Sequence, residues 1–229
     1  MTKLEDFIIQ EPYLPTEEEK LAVKELVDKG LIAANWDSRK KYVMNFKKNL
    51  RKDMYEKQNK LCAYCRIHVP AACVPMPIEH IVYKDNYPQW MFLPENLCIA
   101  CPTCNIYKGA TDVLTNPQIR TYPITSDGFK IIHPLYDRYS DHIELIGGIL
   151  YRGKTSKGKF TIKTCHLYRV ELAEERVDQK MYYQHKSNII VELIYLSMYF
   201  NQYVDDEKKL LQKVKAIVKE YKQDHAKER

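Results

Sequence analysis

The chain has 229 residues, 45% of them hydrophobic, which suits a chain with a sizeable core and argues against a disordered protein. Its formal charge of +6 and pI of about 8.8 permit a polyanionic partner without requiring one. Only 7 glycines and 11 prolines argue against a linker-rich or all-β protein, and no stretch approaches the ~20 apolar residues of a membrane span.

The first 15 residues read as an irregular lead with acids near the front and no secretory signal, so a cytoplasmic location and no membrane partner are expected. In that reducing setting seven cysteines point to ligands and buried thiols rather than disulfides. Pro15, Thr16 and, three residues later, Glu19 form a capping box that starts a helix. Leu21, Val23, Leu26 and Val27 are its expected buried side, and Gly30 its end. A second helix is predicted over 38–60, where nine Lys or Arg stand against two acids. Tyr42, Phe46, Leu50 and Tyr55 recur there at roughly helical spacing. Its charge reads either as a solvated face or as a face that tracks phosphates.

Residues 61–110 hold nearly all the metal-type side chains. Beyond them "HIELIGGILYRG" predicts a hairpin turning at Gly147-Gly148, and "GKFTIKTC" a further strand. From about 166 the pattern is helical. Ile189, Ile190, Leu193, Ile194, Tyr199 and Phe200 form one stripe, and Leu210, Leu211, Val214, Ile217, Val218 and Tyr221 another, for packing or for a partner. The expected organisation is an N-terminal helical region (1–60) with the basic helix, a metal-bearing core (61–110), a mixed hairpin and connection (111–165) and a C-terminal helical region (166–229). No repeat is present.

"LCAYC" supplies Cys62 and Cys65, and "ACPTC" supplies Cys101 and Cys104. Two C-x2-C knuckles separated by such an insert can give four thiolates to one tetrahedral zinc. Cys98 also lies three residues before Cys101, but its apolar neighbours Leu97 and Ile99 suggest a buried thiol. Cys73 reads as a spare loop cysteine and Cys165 as core. Between the knuckles Glu79 stands beside His80, flanked by Ile78 and Ile81. In an extended segment neighbours point to opposite faces, and a turn or bulge would bring both to one cleft. The division of labour is plain: a carboxylate suits a hard cation, and a neutral imidazole can take a proton from water.

Taken together, Cys62-x2-Cys65, Glu79-His80, Asn96-Leu97 and Cys101-x2-Cys104-Asn105-x2-Lys108 resemble the zinc-bearing HNH endonucleases, whose fold is the ββα-metal finger. The resemblance covers about 50 residues, 61–110. It implies an α+β fold: a mainly helical protein with a central zinc-stabilised ββα-metal finger and a small β-hairpin region. It makes Glu79 and Asn105 ligands of a catalytic Mg2+ or Mn2+, His80 the general base, and Asn96 the pin of the loop carrying the base. Lys108 would contact a phosphate. Cys62, Cys65, Cys101 and Cys104 would hold the structural zinc, which keeps Asn105 rigidly placed. Aspartate is commoner than glutamate before the base, which bears on metal preference.

"IIHPLYDRYSDHIEL" contains His133, Asp137, Asp141 and His142, readable as a second metal cluster or, more simply, as a connection whose polar groups cap helices. That stretch and "KGKFTIKTCHLYRVELAEER" resemble the tail of bacterial HNH proteins of anti-phage defence, which include the nuclease member of ATPase–nuclease pairs. The resemblance implies an ATPase partner subunit. The expected function is hydrolysis of phosphodiester bonds in DNA. The rivals are a non-catalytic zinc-stabilised nucleic-acid-binding module and a structural subunit of a defence complex.

Overall fold

Helix α1 (Glu17–Asp28) begins where Thr16 and Glu19 cap each other, the Thr16 hydroxyl accepting from Glu19 N–H and the Glu19 carboxylate from Thr16 N–H. It stops before Gly30, whose φ of +83° suits glycine. The computed structural model describes residues 7–70 and 77–183, the side chains through 177. The expected buried side of α1 is corrected: Leu26 is buried, but Leu21 and Val27 are 64% and 50% exposed. Glu19 anchors the helix instead. Its buried carboxylate accepts from Tyr13 Oη at 2.7 Å and from Asn49 Nδ2 at 2.9 Å, tying the lead, α1 and the next helix together.

That next helix, α2 (Lys41–Lys57), buries Val43, Phe46, Leu50 and Met54, a stripe spaced by three and four residues. Each fully buried side chain of this kind contributes about 1.5–3 kcal/mol. Just past its end, fully buried Gln58 accepts from Ile99 N–H at 2.7 Å and donates to Ile99 O at 2.8 Å. The basic helix is thereby locked to the strand that follows the insert.

Strands β1 (Ile78–His80) and β2 (Leu97–Ile99) pair antiparallel, with Glu79 opposite Cys98 and His80 opposite Leu97. Helix α3 (Pro102–Lys108) follows at once, giving a strand–strand–helix unit. Tyr139 Oη donates to Tyr64 O at 2.7 Å and fastens the later chain to the first knuckle. Helix α4 (Tyr139–His142) leads into β3 (Ile143–Ile146), which pairs with β4 (Leu150–Gly153). The expected turn is there, with Gly147 and Gly148 at φ of +62° and +75°.

"GKFTIKTC" is not a strand. It lies in helix α5 (Ser156–Thr164), started by Thr155, whose hydroxyl accepts from Gly158 N–H. Gly158, Thr161 and Ile162 are buried at spacings of three and four, so the helical period overrides the β-branched local composition. Helix α6 (Val170–Tyr183) continues the helical region. The stripes expected over 189–221, and Cys73, lie outside the described residues.

The architecture is α+β, with six α-helices and two two-stranded sheets among the described residues. The chain divides into two compact units, Met1–Ile143 with Gly153–His166, and Glu144–Arg152 with Leu167–Arg229. In the second unit Ile149 and Leu150 pack with Ile146, Ala173 and Val177. None of the described helices is long and apolar enough to cross a membrane.

Asp137 is a packing hub and not part of a second metal cluster. It accepts from His133 N–H at 2.7 Å, from Lys157 at 3.0 Å and from Ser126, with His142 at 3.3 Å. Burial opposes its ionisation, but these hydrogen bonds outweigh burial and hold its carboxyl down at about 2. Asp141 is exposed.

Candidate functional site

Four sulfurs converge from the two knuckles. The Sγ atoms of Cys62, Cys65, Cys101 and Cys104 all lie within 4.8 Å of one another. Cys65 and Cys101 are 3.8 Å apart, the spacing of about 3.8 Å that ~2.3 Å Zn–S bonds impose on a tetrahedron. The backbone prepares both ends. Cys62 N–H donates to Ile67 O while Arg66 takes a φ of +55°, closing the first knuckle. Cys101 caps α3, its Sγ accepting from Cys104 N–H at 3.4 Å. At Cys62 burial opposes ionisation, yet hydrogen bonds from Cys101, Cys104 and Cys65 draw its thiol well down. Burial pushes Cys65 up, and hydrogen bonding to Cys101 does the same for Cys104. Four cysteine sulfurs converging side by side, three of them buried, form a donor set compatible with zinc. Cys98 is outside the cluster, a fully buried thiol opposite Glu79, and Cys165 is core.

The β1–β2 register carries no bulge, so Glu79 and His80 face opposite ways. Glu79 turns toward α3. Its Oε1 meets Lys108 Nζ at 2.6 Å and accepts from Tyr64 Oη at 3.4 Å. Burial pushes the Glu79 carboxyl up, and the Lys108 ammonium pulls against it. His80 turns toward Met91 and Trp36. Its Nε2 lies 3.1 Å from Met91 O, and its ring meets Trp36 edge-on with centroids 4.4 Å apart. A carbonyl only accepts, so Nε2 carries the hydrogen and Nδ1 the lone pair. Burial lowers the imidazole to about 3, so it is neutral at pH 7.

Asn96 is fully buried and spans the loop after His80. Its Oδ1 accepts from Val82 N–H at 2.7 Å, and its Nδ2 donates to Val82 O and Trp90 O at 3.0 and 3.1 Å. Asn105 is half-buried on α3, and its side-chain amide makes no hydrogen bond among the described residues. Lys108, one turn further along α3, has a fully buried side chain. Besides Glu79 it donates to His80 O at 2.9 Å. It thus sits inside the strand–helix interface, unlike the phosphate-facing position the resemblance implied.

Comparison with known proteins adds one relative. Over 118 residues the chain is 31% identical to Septu protein PtuB of Bacillus thuringiensis, a stretch that is 52% of this chain and 40% of that protein. The chain therefore spans about two fifths of the length of the curated relative it matches. No family model and no solved structure matches the chain.

Several residues around the site escaped sequence reasoning. Tyr64 and Gln58 brace it from the first knuckle and from α2, and Met91 contributes only its carbonyl. Trp36 arrives from the turn Ala33–Asp37 between α1 and α2. None has a spacing signal, because each meets the site through the tertiary fold. Burial, with Lys84, Lys108 and Lys47 adding to it, holds the His80 imidazole low, and Lys47 of α2 reaches the Trp36 ring at 4.7 Å. Both hydrogen bonds to Glu79 fall on Oε1, and Oε2 receives none from the described residues. That carboxylate oxygen and the Asn105 amide oxygen are hard donors, the kind a divalent cation takes.

Proposed function

We propose that the chain is an HNH-type nuclease that hydrolyses phosphodiester bonds in DNA, acting in anti-phage defence. The observation that carries this reading is the His80 ring: neutral, oriented by Met91 O through Nε2, and carried on β1 of a strand–strand–helix unit whose helix starts at a four-cysteine cluster. His80 Nδ1 takes the proton from the attacking water, a contribution typically of ~10^2 to 10^4 in rate. Asn96 holds the loop that carries His80, and Met91 O fixes the tautomer. Glu79, which leaves β1 on the face opposite His80, and Asn105 would hold Mg2+ or Mn2+, which when bound neutralises charge on the phosphoryl oxygens. Zinc at Cys62, Cys65, Cys101 and Cys104 would keep α3, and so Asn105, in place. Lys47 and Lys84 attract the nucleic-acid backbone, a contact without sequence information.

The defence role rests on the similarity to Septu protein PtuB together with the motifs that resemble defence HNH proteins. An ATPase partner subunit belongs to the same proposal. A second reading, a non-catalytic zinc-stabilised binding module, draws on the closure of the site: His80 is 7% exposed and Lys108 occupies Glu79 Oε1. Plasmid cleavage by wild type and His80→Ala, with Mg2+ or Mn2+ and with EDTA, tests the choice. The nuclease predicts metal-dependent loss of supercoiled DNA by wild type alone. DNA binding that is unchanged by His80→Ala, with no cleavage by either protein even beside a copurified partner, supports the binding module.

A further inference from the structure

The proposed base is closed in. At 7% exposure little of the His80 ring is open to a polymer phosphodiester and its attacking water. Part of the cover comes from Met91, whose carbonyl lies 3.1 Å from Nε2. The rest comes from the turn before α2. Trp36, itself buried, lays its ring edge-on against His80 with centroids 4.4 Å apart and planes at 75°, and meets Phe92 at 5.4 Å.

The segment bearing Trp36 is slight. It is a five-residue 3-10 turn, Ala33–Asp37, with Ile32 before it 62% exposed. Its own capping contact, Ile32 N–H to Asn35 Oδ1 at 2.8 Å, is local and exposed. Lys47 of α2 holds it. The ammonium donates to Trp36 O at 3.0 Å and lies 4.7 Å from the centre of the Trp36 ring. Trp90, the other tryptophan, shows what a purely structural indole does here. It stacks on Tyr87 and packs against Tyr122, and its ring meets no titratable imidazole.

We infer that Trp36 is a cap over His80, latched by Lys47, and that the Ala33–Asp37 turn swings aside before the base meets its substrate. The inference rests on the reading of His80 as the base, but the cover itself can be measured without any cleavage. The turn is the natural moving part, because α1 and α2 on either side keep their own anchors at Glu19 and Gln58.

The test is the reactivity of each histidine toward diethyl pyrocarbonate in the full-length, zinc-loaded protein, read by peptide mass spectrometry. His68 is exposed and serves as the fast reference; His133 is fully buried and serves as the protected one. In wild type His80 reacts far more slowly than His68. Trp36→Ala is expected to raise the His80 rate at least ~10-fold relative to His68, and Lys47→Met at least ~3-fold, with His133 still protected and zinc content unchanged. An unchanged His80 rate in both variants overturns the cap, as does a rise that His133 shares. If Trp36→Ala loses zinc, Lys47→Met decides alone. Plasmid cleavage by Trp36→Ala beside wild type keeps the two ideas apart: His80 uncovered, with no cleavage by either protein even beside a copurified partner, sustains the cap and counts against the nuclease.

Discussion

Lys108 meets Glu79 across the β1–α3 interface, Nζ to Oε1 at 2.6 Å, with the two side chains 0% and 5% exposed. A buried pair of this kind contributes little net stability while intact, because both charges have left water. Removing one partner is another matter. Lys108→Met leaves Glu79 buried without its cation and frees His80 O, at an expected cost of about 3–5 kcal/mol. The double variant Lys108→Met, Glu79→Gln should recover much of that loss. Guanidinium unfolding of the zinc-loaded proteins checks this. A single variant as stable as wild type would show that the pair is not closed in solution.

The overlapping cysteines give a stoichiometric prediction. Cys98 is three residues from Cys101 but lies outside the converging set. Wild type should bind one zinc per chain. Cys98→Ser should keep that zinc and lose under about 2 kcal/mol, as a buried thiol replaced by a hydroxyl. Cys104→Ser should lose zinc, and with it the fold of the second knuckle, since binding free energy at such sites is folding free energy. Elemental analysis of the gel-filtered proteins reads both. Zinc retained by Cys104→Ser and lost by Cys98→Ser would reassign the ligands.

What was legible in the sequence was written locally. Thr16 with Glu19 marks a helix start through side chains three residues apart, and Gly147-Gly148 marks a turn through positive φ. The two C-x2-C pairs carry their meaning in their spacing. What was not legible depends on distant partners. Lys108 reads as a phosphate contact beside Asn105, yet the β1 strand, 28 residues earlier, takes its ammonium. His80 reads as a general base without any sign of a cover, yet a turn from before α2 lies against it.

The misread α5 supplies the third prediction. Its sequence alternates like a strand, but Gly158 packs so closely on α4 that an added Cβ would fall 1.9 Å from His142 O. No flexible side chain can yield there, since the obstacle is backbone. Gly158→Ala should therefore destabilise by about 3 kcal/mol or more, despite the better helix propensity of alanine. Thermal unfolding measures it. A variant with a raised Tm would mean that α5 stands further from His142 than described.

His133 gives the pH dependence. Its Nδ1 accepts from Leu135 N–H at 3.2 Å, so its Nε2 bears the hydrogen toward Tyr122 Oη at 2.9 Å, and Tyr136 stacks on the ring at 4.2 Å. A second proton would have to displace the Leu135 bond inside a fully buried site. Burial holds the imidazole down to about 3, with Asp137 pulling the other way. An unfolded histidine titrates near ~6.5, so between those values the unfolded chain binds the extra proton and the folded chain does not. Stability therefore falls as pH drops through ~6.5, by about 1.4 kcal/mol per pH unit for this residue. His133→Asn keeps an acceptor for Leu135 N–H and removes the titration. Any acid sensitivity of the zinc ligands is common to both proteins and cancels in the comparison. Unfolding free energies at pH 7.5 and 5.5 should thus fall more steeply in wild type than in His133→Asn, by about 1.4 kcal/mol. Equal slopes would show that His133 takes its proton in the folded protein, which the hydrogen bond from Leu135 does not allow.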